Sequence, residues 1–229
     1  MLHVSEIGQG LIGVGITAIA YTAALYARTR WKFVHPLAAA SIAVIAFLRF
    51  SGIDYEDYRV GGDWIAWGLG PATVGLAVPL YKNAGLIKRE LVPVLAGITA
   101  GSLVSLLITP LLLTLMGSPK EIVLSMLSKS VTAPISMEIS RRVGGIAELG
   151  AVFSVLTGLL GSLAGPAFLR LCGIRGDFPV GAAIGTSSHG IGTARLMSES
   201  ELRGGVSGFS MAAAGIVTSL LMIPVYWWL

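Results

Sequence analysis

The sequence predicts an all-α fold: a polytopic transmembrane helical bundle with discontinuous or re-entrant helices and internal repeats. Three observations predict it. Hydrophobic residues make up 54% of the 229 and charged residues only 12%, with a mean hydropathy of +0.80. A soluble domain carries charge on about 25% of its residues, because it must cover its core with a solvated surface. Apolar runs long enough to cross a bilayer recur along the whole chain, and three stretches among them are interrupted by Pro, Gly, Ser and Thr.

A spanning helix needs about 20 apolar residues. Residues 7–27 meet that length, and Glu6 stands before them where a secretory signal would be basic, so they read as a retained helix. Residues 33–48 form a shorter run that Trp31 and Phe50 extend at its ends. The stretch 51–63, with Asp54, Glu56, Asp57 and Asp63 against one Arg59, reads as an acidic loop. Charge-free runs follow at 64–81, 91–119, 149–169 and 204–229. Two more segments are broken: 121–140 holds Lys129, Pro134 and Glu138, and 178–194 holds scattered Gly and Ser plus His189. The reading is therefore eight membrane segments in one integral membrane domain, with an N-terminal helical pair at 1–63 and a core at 64–229.

Basic residues cluster between the runs: Arg28, Arg30 and Lys32; Lys82, Lys88 and Arg89; Arg141 and Arg142; Arg195 and Arg203. In such positions they set membrane orientation, so the net charge of +4 does not indicate a nucleic-acid partner. With eight crossings these clusters share the cytoplasmic side and both termini face outward, although Arg170 and Arg175 then fall on the outer side. Cys172 is the single cysteine, which excludes an internal disulfide. A weak echo links residues 101–110 (GSLVSLLITP) with 215–224 (GIVTSLLMIP) and with the shorter 161–166 (GSLAGP). It suggests a unit of broken helix, basic turn and intact helix that begins near Gly70, Ser130 and Gly185.

The broken segments carry the chemistry. They are 69–81 (LGPATVGLAVPLY), 128–140 (SKSVTAPISMEIS) and 185–197 (GTSSHGIGTARLM). A helix broken in lipid leaves amides and carbonyls that cost several kcal/mol each unless protein or water satisfies them. Such backbone survives where it lines a cavity, and a half-helix N-terminus there suits an anion. Ser130, Thr132, Ser187, Ser188 and Thr193 would add hydroxyls, and Lys129 and His189 positive or titratable groups. Together they describe a site for a small hydroxylated or keto anion. Each residue also has a plainer reading. Lys129 anchors its helix by reaching an interface, Glu138 pairs with Arg141 and Arg142 at the surface, His189 is a neutral core histidine, and Pro71 and Pro79 only kink the chain. Ser188 beside His189 makes no nucleophile–base geometry by adjacency. The chain has no metal-ligand spacing, phosphate loop or dinucleotide fingerprint, so no enzyme, metal or cofactor is expected.

The same three runs resemble signatures of the LrgB/CidB family, and the resemblance covers most of the chain. Ser187 and Ser188 stand where that family commonly has Ala. The resemblance implies one of two functions. One is transport of small monocarboxylates such as glycolate, glycerate, lactate or pyruvate. The other is antiholin-like control of murein hydrolase export and cell lysis with an LrgA/CidA-type membrane partner. Lys129, Ser130, Thr132, Pro134 and Glu138 match its second motif, and His189, Gly192, Thr193 and Arg195 its third. The expected substrate contacts are Lys129, Ser130, Thr132, Glu138, Ser188, His189, Thr193 and Arg195, and the expected helix breaks Gly70, Pro71, Pro134, Gly190 and Gly192. The expected surroundings are the cell membrane, a small carboxylate, a homo-oligomer or that partner, and H+ or Na+ as coupling ion.

Overall fold

The computed structural model describes residues 6–31, 34–75 and 77–228. Lys32, Phe33 and Leu76 lie outside the described residues, as does the side chain of Pro79. Every regular element among the described residues is a helix, and four helices are long and apolar enough to cross a membrane. The chain divides into two compact units, Met1–Gly75 and Leu76–Leu229.

The first unit contains α1 (Glu6–Arg30), α2 (Pro36–Ser51), α3 (Tyr55–Trp67) and α4 (Leu69–Gly75). α1 has Glu6 in its first turn and Arg28 and Arg30 in its last, each sign matching the helix dipole. α2 opens on Pro36 and stops at Gly52, whose φ of 73° ends the helix in the left-handed region. The acidic stretch expected as a loop is mostly the helix α3. Glu56 and Asp57 sit in its first turn, where carboxylates are favourable, and Arg59 bridges Glu56 and Asp63 along one face. Gly61 lets α3 lie against α1, since a Cβ there would come within 2.6 Å of the Gly13 Cα. Thr17 and Tyr58 share a hydrogen bond of 2.9 Å across the same contact. The run 64–81 is not one span: α3 ends at Trp67, and α4 carries Gly70 and Pro71 near its start.

The second unit contains α5 (Ala77–Lys82), α6 (Ala84–Arg89), α7 (Leu91–Leu115), α8 (Lys120–Met126), α9 (Ala133–Arg142), α10 (Ala147–Leu171), α11 (Asp177–Glu199) and α12 (Glu201–Trp228). At 25 residues, α7 and α10 are each about 37 Å long, enough for a hydrocarbon core of about 30 Å. The two broken segments between them and α12 behave differently, because each reverses.

α8 and α9 form the first hairpin. Ser128 and Ser136 share a hydrogen bond of 3.0 Å, and the Ser140 hydroxyl donates to the Ser125 carbonyl at 3.2 Å. Residue pairs that converge as they approach 131–132 mark a turn there. α10 then runs back along α9, taking a bond from Ser136 Oγ to the Gly150 carbonyl (2.9 Å) and giving one from Ser154 Oγ to the Val131 carbonyl. The hairpin tip therefore reaches Ser154, less than half-way along α10.

α11 is the second hairpin. His189 has φ 37° and ψ −128°, and the chain folds back on both sides of it. A Cβ at Gly192 would lie 2.6 Å from Ile184 Cγ2, whereas eight residues of straight helix would separate them by about 12 Å. The first arm lies along α10 with Ser188 against Gly161 and Ile184 against Gly165. It enters from the C-terminal end of α10. The two hairpins thus come from opposite ends of α10, and their tips meet near its middle.

This arrangement corrects the expected sidedness. Arg141 and Arg142 close the first hairpin beside the start of α10, whereas Arg203 bonds Asp177 (2.6 Å) beyond its end. α7 runs parallel to α12, with Val94 and Ile98 against Ala213 and Ala214, and Leu106 near Met222. Lys88 and Arg89 therefore share the Arg203 end, with Arg170 and Arg175, and Arg141 and Arg142 do not. Segments 121–140 and 178–194 do not run end to end, and that is the physical reason for the change.

In a Cys172→Ser background, single cysteines at Lys120 and Glu148 should react with an impermeant maleimide from one side of the membrane. Cysteines at Arg175 and Glu201 should react from the other. Opposite labelling of Lys120 and Glu148 would show that the first hairpin crosses.

Candidate functional site

A cavity of about 820 Å³ lies between α7 and the first arm of α11, and the turn of the first hairpin forms part of its wall. Its walls are mostly apolar, with Val94, Val104, Ile108 and Phe178 among them. Polar groups gather around that turn. The Ser105 and Ser130 hydroxyls share a hydrogen bond of 2.8 Å, and the Lys129 ammonium stands 3.4 Å from each. Thr186 and Ser187 line the neighbouring wall, but their hydroxyls donate to the Ala182 and Ala183 carbonyls at 2.7 and 2.8 Å. Glu90 lies at the other end, 15 residues along α7 from Ser105 and so about 22 Å away.

His189 occupies the far side of that hairpin turn. It is 4% exposed, its Nε2 is 3.5 Å from Ser154 Oγ, and its ring lies against the backbone of Lys129 and Ser154. Gly158 makes room for it, since a Cβ there would come within 2.9 Å of His189 Cε1. The two tips therefore touch, with Ser154 bonded to Val131 on one and facing His189 on the other. Lys129 points into the cavity and His189 into the packed contact with α10.

The remaining sequence-predicted residues divide. Ser130 lines the cavity beside Lys129. Thr132 precedes α9 and makes no side-chain cap, and Pro134 sits in the first turn, where a missing amide costs nothing. Ser188 is fully buried with its hydroxyl 3.1 Å from that of Ser187. Thr193 bonds Ser207 at 2.8 Å, joining α11 to α12, and Gly190 faces Met211. Gly70 and Pro71 belong to α4, in the first unit. Arg195 donates from Nη1 to the Ser162 carbonyl and pairs with Glu199. That carbonyl is an orphan of α10, because its helical partner four residues on is Pro166, which has no N–H. Glu138 stands apart from the cavity. It bonds Arg142 Nε at 2.7 Å and Arg141 Nη1 at 3.1 Å on an exposed surface, beside a second groove that Ile139, Tyr226 and Trp227 help to line.

Sequence reasoning missed Ser105 and Ser154. Ser105 lies in a charge-free run, inside the stretch 101–110 that is echoed at 215–224, where Ser219 stands in its place. Ser154 had a signal: Gly150, Ser154, Gly158, Ser162 and Pro166 repeat every four residues and form one buried face of α10.

Two substitutions test these contacts. Ser154→Ala should leave the Val131 carbonyl unpaired, and Arg195→Ala the Ser162 carbonyl. Each should cost about 1–3 kcal/mol and lower the melting temperature of the detergent-purified protein. Glu138→Gln should melt near wild type.

A sequence model of the LrgB-like family matches residues 16–228. YxaC of Bacillus subtilis (strain 168) is 33% identical over 219 residues, covering 95% of each chain. YwbG of the same organism is 32% identical over 211 residues, covering 91% of this chain and 94% of its own. The holin-like protein CidB of Staphylococcus aureus (strain N315) is 31% identical over 219 residues, again 95% of each. No solved structure matches. With its family signature running almost from end to end, and with relatives of this identity over nearly all of their length, the chain belongs to the LrgB-like family.

Proposed function

We propose that this protein is a carrier, with no catalytic role, that moves small monocarboxylates of the 2-hydroxy or 2-keto type across the cell membrane. Glycolate, glycerate, lactate and pyruvate are the acids to test. One observation carries the reading: the Lys129 ammonium lines a mostly apolar cavity, with two hydroxyls and, among the described residues, no carboxylate paired with it. A charge held away from water is expensive until it is paired. The carboxylate that lines the same cavity, Glu90, is at the opposite end, so a ligand carboxylate is the natural counter-ion. α9 begins next to this turn, and its N-terminal dipole has the sign that favours an anion.

The opposed hairpins support transport, because discontinuous helices meeting at mid-depth are how many carriers bind substrate. Lys88, Arg89, Arg170, Arg175 and Arg203 gather at one end of the unit, against Lys120, Arg141 and Arg142 at the other. By the positive-inside rule the richer end is cytoplasmic. Glu90 and Phe178 bring the cavity to that end. Either H+ or Na+ serves as coupling ion in this scheme.

A second reading draws on the holin-like name of the CidB relatives. In it the chain regulates murein hydrolase export and lysis together with an LrgA/CidA-type partner.

Liposomes containing only this protein should accumulate at least one of the four labelled acids. Lys129→Ala should lower that uptake about thirty-fold or more, since removing one member of a desolvated charge contact costs about 2–5 kcal/mol. Lys82→Ala, at a surface pair with Glu201, should leave it unchanged. Failure of all four acids under both proton and sodium gradients, with and without the partner, would favour the regulatory reading.

A further inference from the structure

We infer that Ser105 on α7 reads the oxygen at C2 of the transported acid, and so selects 2-hydroxy and 2-keto acids over plain fatty acids of the same length. This rests on the carrier reading and goes beyond it by assigning a specificity residue outside the three broken segments.

The cluster around Lys129 has more donors than acceptors. Lys129 carries three N–H donors and no acceptor. Ser105 and Ser130 each bring one hydroxyl proton, and their mutual 2.8 Å bond uses one of the two. The ammonium reaches both hydroxyl oxygens only at 3.4 Å, the long limit of a hydrogen bond. One hydroxyl proton and at least one ammonium proton are therefore left facing the cavity. The neighbouring hydroxyls of Thr186 and Ser187 are already committed to backbone carbonyls and do not compete.

A ligand that satisfies this cluster presents two adjacent groups of oxygen. Its carboxylate meets Lys129, and a further oxygen one carbon away meets the Ser105–Ser130 pair. The next stretch of wall is formed by Val104, Ile108 and Thr109. Ser105 differs from Ser130 in its origin. Ser130 belongs to the hairpin turn that also holds Lys129, whereas Ser105 comes from the long helix α7, so the C2 oxygen is gripped between two separate elements. Without that oxygen, the acid leaves a hydroxyl proton unpaired in an apolar cavity, and this is the source of discrimination.

The experiment compares 2-hydroxypropionate with propionate as competitors of labelled uptake in the same liposomes. Wild type should prefer the hydroxy acid by about tenfold. Ser105→Ala should bring the ratio to within about twofold, mainly by weakening the hydroxy acid, while Ser105→Thr keeps it. Ser105→Cys, close in volume but a weak donor, should fall with Ala and guards against a packing defect in the Ala variant. A wild-type ratio near one overturns the inference, as does an unchanged ratio in the Ala and Cys variants. Absence of any uptake by wild type is a separate outcome, and it removes the carrier reading together with the inference.

Discussion

Every backbone amide and carbonyl inside a bilayer must find a partner within the protein, and the core of this fold is arranged around that constraint. Long helices meet it internally. The two hairpins cannot, because each reversal frees the ends of two short arms. Serine hydroxyls take up the difference. Ser125 accepts from the Ile146 amide, Ser136 donates to the Gly150 carbonyl, Ser140 to that of Ser125, and Ser154 to that of Val131. All four serines are fully buried. Serine suits the task because its side chain is short enough to lie in the helix contact, and its single hydroxyl both donates and accepts. Arg195 does the same at longer range for the carbonyl that Pro166 leaves open.

Close approach is the second requirement, and one face of α10 supplies it. Small residues every fourth position let the first hairpin settle on the N-terminal half and the second on the C-terminal half. Bulkier side chains along that face would hold the hairpins away, and the serine bonds would then be too long to form. The polar cluster around Lys129 depends on the same packing, because the turn that holds Lys129 and Ser130 is tied by Val131 to Ser154.

Much of this was legible in the sequence, and the limits have physical causes. The four long helices follow from length and apolarity alone. The breaks at 128–140 and 185–197 follow from Pro, Gly and hydroxyl residues in an apolar background. What composition does not distinguish is a break that continues from one that reverses, since either uses about 20 residues and the same side chains. Ser128 meeting Ser136 and Gly192 meeting Ile184 decide it, and those are contacts in space. Sidedness inherited that ambiguity, because a reversed segment returns its basic residues to the side they came from. Arg170 and Arg175, discordant with eight crossings, agree with Lys88 and Arg203 once both hairpins reverse. The helix α3 was hidden for a different reason: its carboxylates resemble a solvated loop, and its contacts with α1, at Gly61 and through Tyr58, show that it is packed. Glu138, read both as a site residue and as a surface pair, has the surroundings of the latter.

His189 is the one residue other than glycine with positive φ among the described residues. A side chain there opposes its own backbone, at a cost of about 1–3 kcal/mol that glycine would escape. Glycine is abundant in this segment, and Gly190 follows immediately. The chain nonetheless spends conformational strain to keep an imidazole at the apex. Turn geometry therefore does not account for the residue, and the ring itself is what the fold retains.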